Sequence, residues 1–558
     1  MKRLLDKDQY SSIIEDLTVE KANIIERRID WRFLLPNPNP EKSICFSSGL
    51  IAEALKAKLQ TNINSDSHYT PDYYDLAVAV NPDIKTLNAA HSALKPGGIC
   101  YLEWDVNILF RASKIRKIFK AIGFDEPSIY LPKPAPDTSL TGIWIPFESL
   151  GAIEYLIKQS YKQTNQNFLL RMAKLLRNTL WSISPDLILS NPFLLSSTLN
   201  KFTISIISHK PQPDYSKELN AQKGNVTVPR YILDNLTSAL KGRTFRSRMD
   251  NISVIMLTKG RAIHNKIVLI VFNERERVPL VVIKIPRSDT SINSLLNEVQ
   301  ILNKLEDKFA EMEGIPKIIF FKNDPDLFVA GQTFLNGIPL SSILKKENYS
   351  DLAYRVTSWL IEFAKRSKTE LNHNWREAQI EPIISAFSSN YSSVINPKQL
   401  SVTQDIINNL TVPFLVCEHR DVGPWNVMIN DKGELGFADW ESAELYGLPG
   451  RDLIYFMIYL GLSLYGNWKP ENMRTCYREM LDHSTFTGSI FHECTNCYFS
   501  ELGLPESSIK PLRLLTFLIH SLERFNRRFG SSRESVDSNM LRESLYFICW
   551  EEEVSDIQ

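Results

Sequence analysis

Apolar positions along the chain follow two rhythms. Ser43 to Phe46, Tyr74 to Val80 and Ile99 to Glu103 are short apolar runs, separated by Gly49 to Leu59 and Thr86 to Leu94, which carry helical spacing. Strands alternating with helices predict a parallel α/β sheet, because a parallel neighbour is reached only through a crossover. Ile252 to Leu257, Lys266 to Phe272 and Leu280 to Ile285 instead follow one another through turns and are rich in Val and Ile. They predict an antiparallel meander. Leu295 to Leu305 and Leu352 to Thr369 read as helices, and after Asp452 the pattern stays helical through Pro511–Phe529 and Leu541–Trp550. The aromatics of those last two helices are assigned to core.

Between these regions, Ile153 to Leu180 carries an apolar stripe with Arg171, Lys174 and Arg177 interleaved, a core-facing helix with a solvated basic face. Lys210 through Gly224 is polar and proline-bearing and reads as a linker. The expected division is therefore residues 1–150, a helical segment and linker at 151–225, then 226–330 and 331–558.

Composition narrows the class. The 64 basic and 64 acidic side chains of the 558 residues balance, so no overall field favours nucleic acid or anionic membrane. Seven scattered cysteines fit a reducing cytosol better than a disulfide framework. The start, MKRLLDKDQYSSIIEDL, lacks the apolar core of a signal peptide. The most apolar run, Leu453 to Leu464, is shorter than the ~18 residues a membrane span needs. A soluble, cytoplasmic protein is expected.

The chemistry concentrates between Cys417 and Leu453. His419-Arg420-Asp421 followed by Asn426 has the spacing H-R-D-x-x-x-x-N, in which the Asp takes the proton of an acceptor hydroxyl and the Asn holds Mg²⁺. Val427-Met428-Ile429 and Leu435-Gly436-Phe437 flank a turn with Gly433, a hairpin signal. Such a hairpin returns Asp439 to Asn426, offering two hard oxygen ligands to one Mg²⁺. Asp439-Trp440-Glu441 and the later Arg451-Asp452-Leu453 complete the set.

These motifs resemble the aminoglycoside phosphotransferase and choline kinase-like family of small-molecule kinases. Arg420 is a departure, since many members carry a small residue there. The resemblance implies a bilobal protein-kinase-like fold over the C-terminal half, ATP and Mg²⁺ as cofactors, and a small-molecule hydroxyl as acceptor. It makes Asp421 the catalytic base, Asn426 and Asp439 the metal ligands, and His419 and Asp452 structural supports. Val281-Val282-Ile283-Lys284 matches V-A-I-K, placing Lys284 on the triphosphate with Glu298 as its partner. Gly260 sits in the loop expected to cradle phosphate, and backbone near Gln332 and Phe334 would meet the adenine edge. Cys476, His483, His492, Cys494 and Cys497 crowd one segment without the spacing of a zinc finger.

At the front, strand, helix, Leu94-Lys95-Pro96-Gly97-Gly98 and strand resemble the later half of class I methyltransferases that use S-adenosylmethionine, a Rossmann-like domain. The cofactor fingerprint is incomplete: Cys45-Phe46-Ser47-Ser48-Gly49 has one glycine and no carboxylate. Gly49, Asp75 and Asn81 are the candidates to line a remnant pocket. The expectation is thus a degenerate methyltransferase-like domain ahead of an ATP- and Mg²⁺-dependent phosphotransferase. The alternative is a catalytically inactive scaffold whose front domain recruits a protein partner.

Overall fold

The parallel and antiparallel strand sets join edge to edge. In a computed structural model, described for residues 24–59, 61–63, 69–107, 111–136, 140–147, 149–162, 201–212, 229–239, 252–258, 265–273, 278–309, 312–324, 327–466, 469–529 and 537–555, the chain divides into two compact units. One comprises Met1–Leu295 and Ile318–Phe334, the other Leu296–Lys317 and Leu335–Gln558.

The first unit is organised on a 12-stranded sheet of order β11-β12-β10-β9-β8-β6-β5-β7-β4-β3-β1-β2. Its strands are β1 (Ser43–Cys45), β2 (Thr61–Ile63), β3 (Tyr74–Val80), β4 (Leu94–Asn107), β5 (Ser128–Lys133), β6 (Ile143–Pro146), β7 (Lys201–His209), β8 (Ile252–Leu257), β9 (Ile267–Asn273), β10 (Val278–Ile285), β11 (Ile318–Asp324) and β12 (Leu327–Thr333). β2, β1, β3 and β4 run parallel, with α1 (Leu50–Lys58) and α2 (Ile84–Ala93) as crossovers. β7 enters antiparallel between β4 and β5. The 94–98 turn is absorbed into β4 as a register shift, with Gly97 at φ 78; a left-handed residue there suits glycine.

The meander forms as β8, β9 and β10, and β6 pairs with β8 through Ile143↔Leu257 and Trp144↔Met256. The segments divided above at residues 150 and 226 therefore share one sheet and one unit. The linker expected over 210–224 lies outside the described residues from 213 onward, and the 153–180 helix is described only as α4 (Leu150–Lys162). One face of the sheet buries Leu76, Val78, Val254, Leu269, Ile283 and others in one apolar core beneath Trp31 and α5 (Arg230–Ala239). The opposite face packs Leu87 of α2 and Phe119 of α3 (Ala112–Ile122) over the parallel strands, and Ala152 of α4 over Ile255, Ile270 and Phe272.

In the second unit the apolar stripes of long helices meet one another. These are α7 (Tyr349–Ser367), α8 (Arg451–Tyr465), α9 (Pro470–Leu481), α10 (Phe486–Leu502), α11 (Ile509–Phe529) and α12 (Leu545–Ser555). The unit boundary falls inside α6 (Ile292–Phe309). α8 is buried on nearly every side, Leu453, Ile454, Phe456, Met457, Leu460 and Leu462 included; among the described residues no helix is long and apolar enough to cross a membrane. Two small antiparallel sheets lie in this unit: β13 (Ile338–Pro339), β15 (Val427–Ile429) and β16 (Leu435–Phe437) form one, β14 (Val416–Glu418) and β17 (Glu444–Gly447) the other.

Candidate functional site

The segment around Asp421 leaves β14 and is held by a buried acid. Asp452, in the first turn of α8, accepts the backbone N–H of His419 at 2.7 Å on Oδ2 and that of Arg420 at 2.8 Å on Oδ1. Arg420 sits at φ 65, a left-handed conformation that costs a side-chain-bearing residue energy unless its surroundings impose it. Burial and Glu418 push the Asp452 carboxyl up to about 7, against the pull of the two amides and Arg451. Glu418 in turn is engaged by the Arg451 guanidinium and by the Leu448 N–H. Its carboxylate lies where a Cβ on Gly447 would stand, which explains glycine at that position.

His419 is fully packed beneath Trp440, with ring centroids 4.5 Å apart. Its Nε2 is 3.0 Å from the Ala438 carbonyl, and its Nδ1 accepts the Asp421 N–H at 3.3 Å. That pattern belongs to neutral imidazole protonated on Nε2. Burial lowers its pKa to about 4 although Asp439 pulls the other way. Trp440 donates Nε1–H to Phe437 O at 2.7 Å.

The β15–β16 hairpin pairs Val427 with Phe437, and the Ala438 N–H reaches Asn426 O at 2.9 Å. Asp439 follows immediately at φ 70. The Asn426 amide donates to Asp421 Oδ2 at 2.8 Å and to Asp421 O at 3.0 Å. That orientation leaves Asn426 Oδ1 as an acceptor, and with the Asp439 carboxylate it supplies oxygen donors of the kind Mg²⁺ takes. The residues present fit the ion.

Asp421 opens onto a cavity of about 420 Å³. Its Oδ1 accepts the Tyr455 hydroxyl at 2.6 Å, so two donors fix the carboxylate. Trp425, Tyr459, His520 and Tyr546 supply further wall. Sequence reasoning missed Tyr455 and Tyr459, although Asp452, Tyr455 and Tyr459 at i, i+3 and i+7 share one helical face. It also assigned the aromatics of the last two helices to core, whereas Tyr546 lines this cavity. That residue is both: its ring packs inward while its hydroxyl meets the Tyr459 hydroxyl at 2.7 Å.

Elsewhere the expected residues are placed as follows. Lys284 lies on β10 between β9 and β12, an interior strand, and is only 7% exposed. Val281, Ile283 and Ile285 point to the opposite face. Glu298, 1% exposed, is on α6. Gln332, next to last in β12, pairs with Val282, and Phe334 packs on Tyr155 of α4. Gly260 lies outside the described residues. At the front, Asn81 and Asp75 occupy opposite ends of β3: Asn81 bonds Asp105, whereas Asp75 accepts the Lys42 N–H and pairs with Lys95. Asp75 therefore cannot share a pocket with Gly49 and Asn81. No group of three or more His, Cys, Asp or Glu suited to a metal occurs among the described residues, and His483 stacks on His492 instead.

No protein-family model matches the chain, and a search of curated proteins returns none. Solved structures similar to parts of it include the streptomycin–ATP–APH(2'')-IIa ternary complex, at 17% identity over 57% of this chain and 99% of that one, with a TM-score of 0.33. A thermostable aminoglycoside phosphotransferase APH(4)-Ia with ADP and hygromycin B gives 12% identity, 56% and 97% coverage and a TM-score of 0.37. Spectinomycin phosphotransferase APH(9)-Ia with ADP and spectinomycin gives 12%, 53% and 92%, and 0.30. These are loose alignments, and the geometry of the site stands apart from them.

Proposed function

We propose that the chain transfers the γ-phosphoryl group of ATP to a hydroxyl of a small molecule. The observation that carries this reading is the Asp421 carboxylate, fixed by Tyr455 and Asn426 at the wall of a cavity large enough for a small ligand. The acceptor oxygen forms a bond to the γ-phosphorus, and the bond from that phosphorus to the β–γ bridging oxygen breaks. ADP leaves with the electron pair, and the acceptor's proton passes to Asp421. Asn426 and Asp439 would hold Mg²⁺, which neutralises phosphate charge when bound. Lys284 would take the α- and β-phosphates, and backbone near Gln332 and Phe334 the adenine edge. The chemistry is placement and charge neutralisation, because phosphoryl transfer needs little covalent help.

The front of the sheet we read as a methyltransferase-type domain without transfer activity. The parallel set with a reversed strand beside β4 supports the type. Against activity, Arg28 and Tyr101 engage Glu103, and Asn81 and Thr203 engage Asp105, at the end of the strands where a cofactor would need open polar groups.

The test is unfolding of the full chain with and without Mg²⁺-ATP. A ligand at ~100 times its dissociation constant adds about 2.7 kcal/mol, and Asp439→Ala should abolish the shift. A wild-type chain that melts identically with and without nucleotide would overturn the proposal in favour of a non-catalytic scaffold.

A further inference from the structure

The wall of the Asp421 cavity says what kind of acceptor it is made for, if the phosphotransfer reading holds. Its carboxylates are already engaged. Glu523 takes the Arg420 guanidinium on Oε1 and lies 3.0 Å from His520 Nδ1 on Oε2. Arg420 is also bound by Glu444. Asp421 has its two donors from Tyr455 and Asn426. Two arginines, 420 and 524, face two carboxylates, 421 and 523, so the wall has no acidic surplus to attract a polyamine.

Arg524 differs from Arg420. It lines the same cavity, is exposed, and has no ion pair among the described residues. Nearby, Trp425 is 38% exposed and meets Tyr459 edge-on at 4.7 Å. Tyr455 lies against His520 at 4.4 Å, and His520 stacks on Tyr546 at 5.1 Å. The cavity thus combines a rigid bank of rings, which favours a flat ligand face, with one cation suited to a carboxylate or phosphate.

We propose that the acceptor is a ring-bearing alcohol carrying an anionic group, its ring against Trp425 and the tyrosines and its anion on Arg524. A polycationic amine finds no surplus of carboxylates among the residues that line this wall. Arg524 is then the specificity-determining residue, and it is not among the groups assigned to the reaction.

Two sets of probes, each with an anionic, a neutral and a cationic member, test this. One set is glucuronate, glucose and glucosamine, and the other is 4-(hydroxymethyl)benzoate, benzyl alcohol and 4-(aminomethyl)benzyl alcohol. Glucose 6-phosphate tells phosphate from carboxylate. Binding is measured by calorimetry on the full chain without nucleotide, so the pocket is read independently of turnover. In at least one set the anion should bind about tenfold or more tighter than the cation. Arg524→Gln should erase that gap and Arg524→Glu invert it. Tighter binding of the cations, a gap that survives Arg524→Gln, or no anion bound at millimolar concentration overturns the assignment. ADP release with the same probes is scored in parallel on wild type and Asp421→Asn. A charge preference without any ADP release would count against phosphotransfer while leaving the pocket chemistry standing.

Discussion

Both units bury charge in closed pairs, and the second also puts some of it to another use. In the first, Arg28 grips Glu103 through two 2.6 Å bonds, Tyr101 adds a third at 2.9 Å, and Arg287 grips Asp30 at 2.9 and 3.1 Å. These groups bond to one another, and burial pushes the Asp30 carboxyl up while Arg287 holds it back. In the second, Asp452 is bonded to the backbone of the loop that carries Asp421, and Asp421 itself faces a cavity. Buried charge closed on itself stabilises a packing; buried charge that holds a loop open to a cavity prepares a reaction.

Paired substitutions break or sharpen that contrast. Asp421→Asn keeps the size of the side chain and its place between Tyr455 and Asn426, but it cannot accept a proton. Turnover should fall by ~10²–10⁴-fold while the urea midpoint stays near wild type. Glu103→Gln should do the reverse. Leaving Arg28 buried against a neutral partner costs about 3–5 kcal/mol, with turnover per folded molecule unchanged. If Glu103→Gln instead reduced turnover at full folding, the division between the two kinds of buried charge would fail.

Asp452→Ala should fall between these. It strands two backbone N–H groups, worth about 1–3 kcal/mol each when buried without a partner, and frees the loop immediately before Asp421. Stability and turnover should both decline, and kinetics at a temperature where the variant remains folded separates the two losses. Loss of stability alone would make the loop's conformation independent of its anchor.

How far these features were legible depended on the range of the interactions behind them. The β15–β16 hairpin and the strand pattern of β8 to β10 rest on neighbours close in sequence, so turn residues and alternation announce them. The joining of the two strand sets through β6 rests on two residue pairs more than a hundred positions apart, and no local signal marks it. The cavity wall is similar: Trp425, Tyr455, His520 and Tyr546 come from distant segments. Each aromatic alone has the profile of a core residue, and only packing shows which rings also border open space.

In the wild-type chain the smallest net effect lies in the pH dependence of folding, where two neighbours in the second unit act in opposite directions. His419 is shifted from 6.5 down to about 4 by burial, so between those values the folded chain binds fewer protons than the unfolded one. Its contribution rises with pH across about 4 to 6.5 and is lost on acidification. Asp452 is shifted from 3.8 up to about 7, so the folded chain binds more protons across that interval, and its contribution falls as pH rises. The two largely cancel, leaving a shallow profile between pH 4 and 6.5. Asp452→Asn removes the second contribution and keeps an oxygen for one of the two amides. The unfolding free energy of that variant, from urea titration, should therefore climb more steeply with pH over that window, by up to ~1.4 kcal/mol per pH unit. An unchanged slope would mean that the two amide donors and Arg451 keep Asp452 ionised throughout, and that the loop is anchored by a permanent charge.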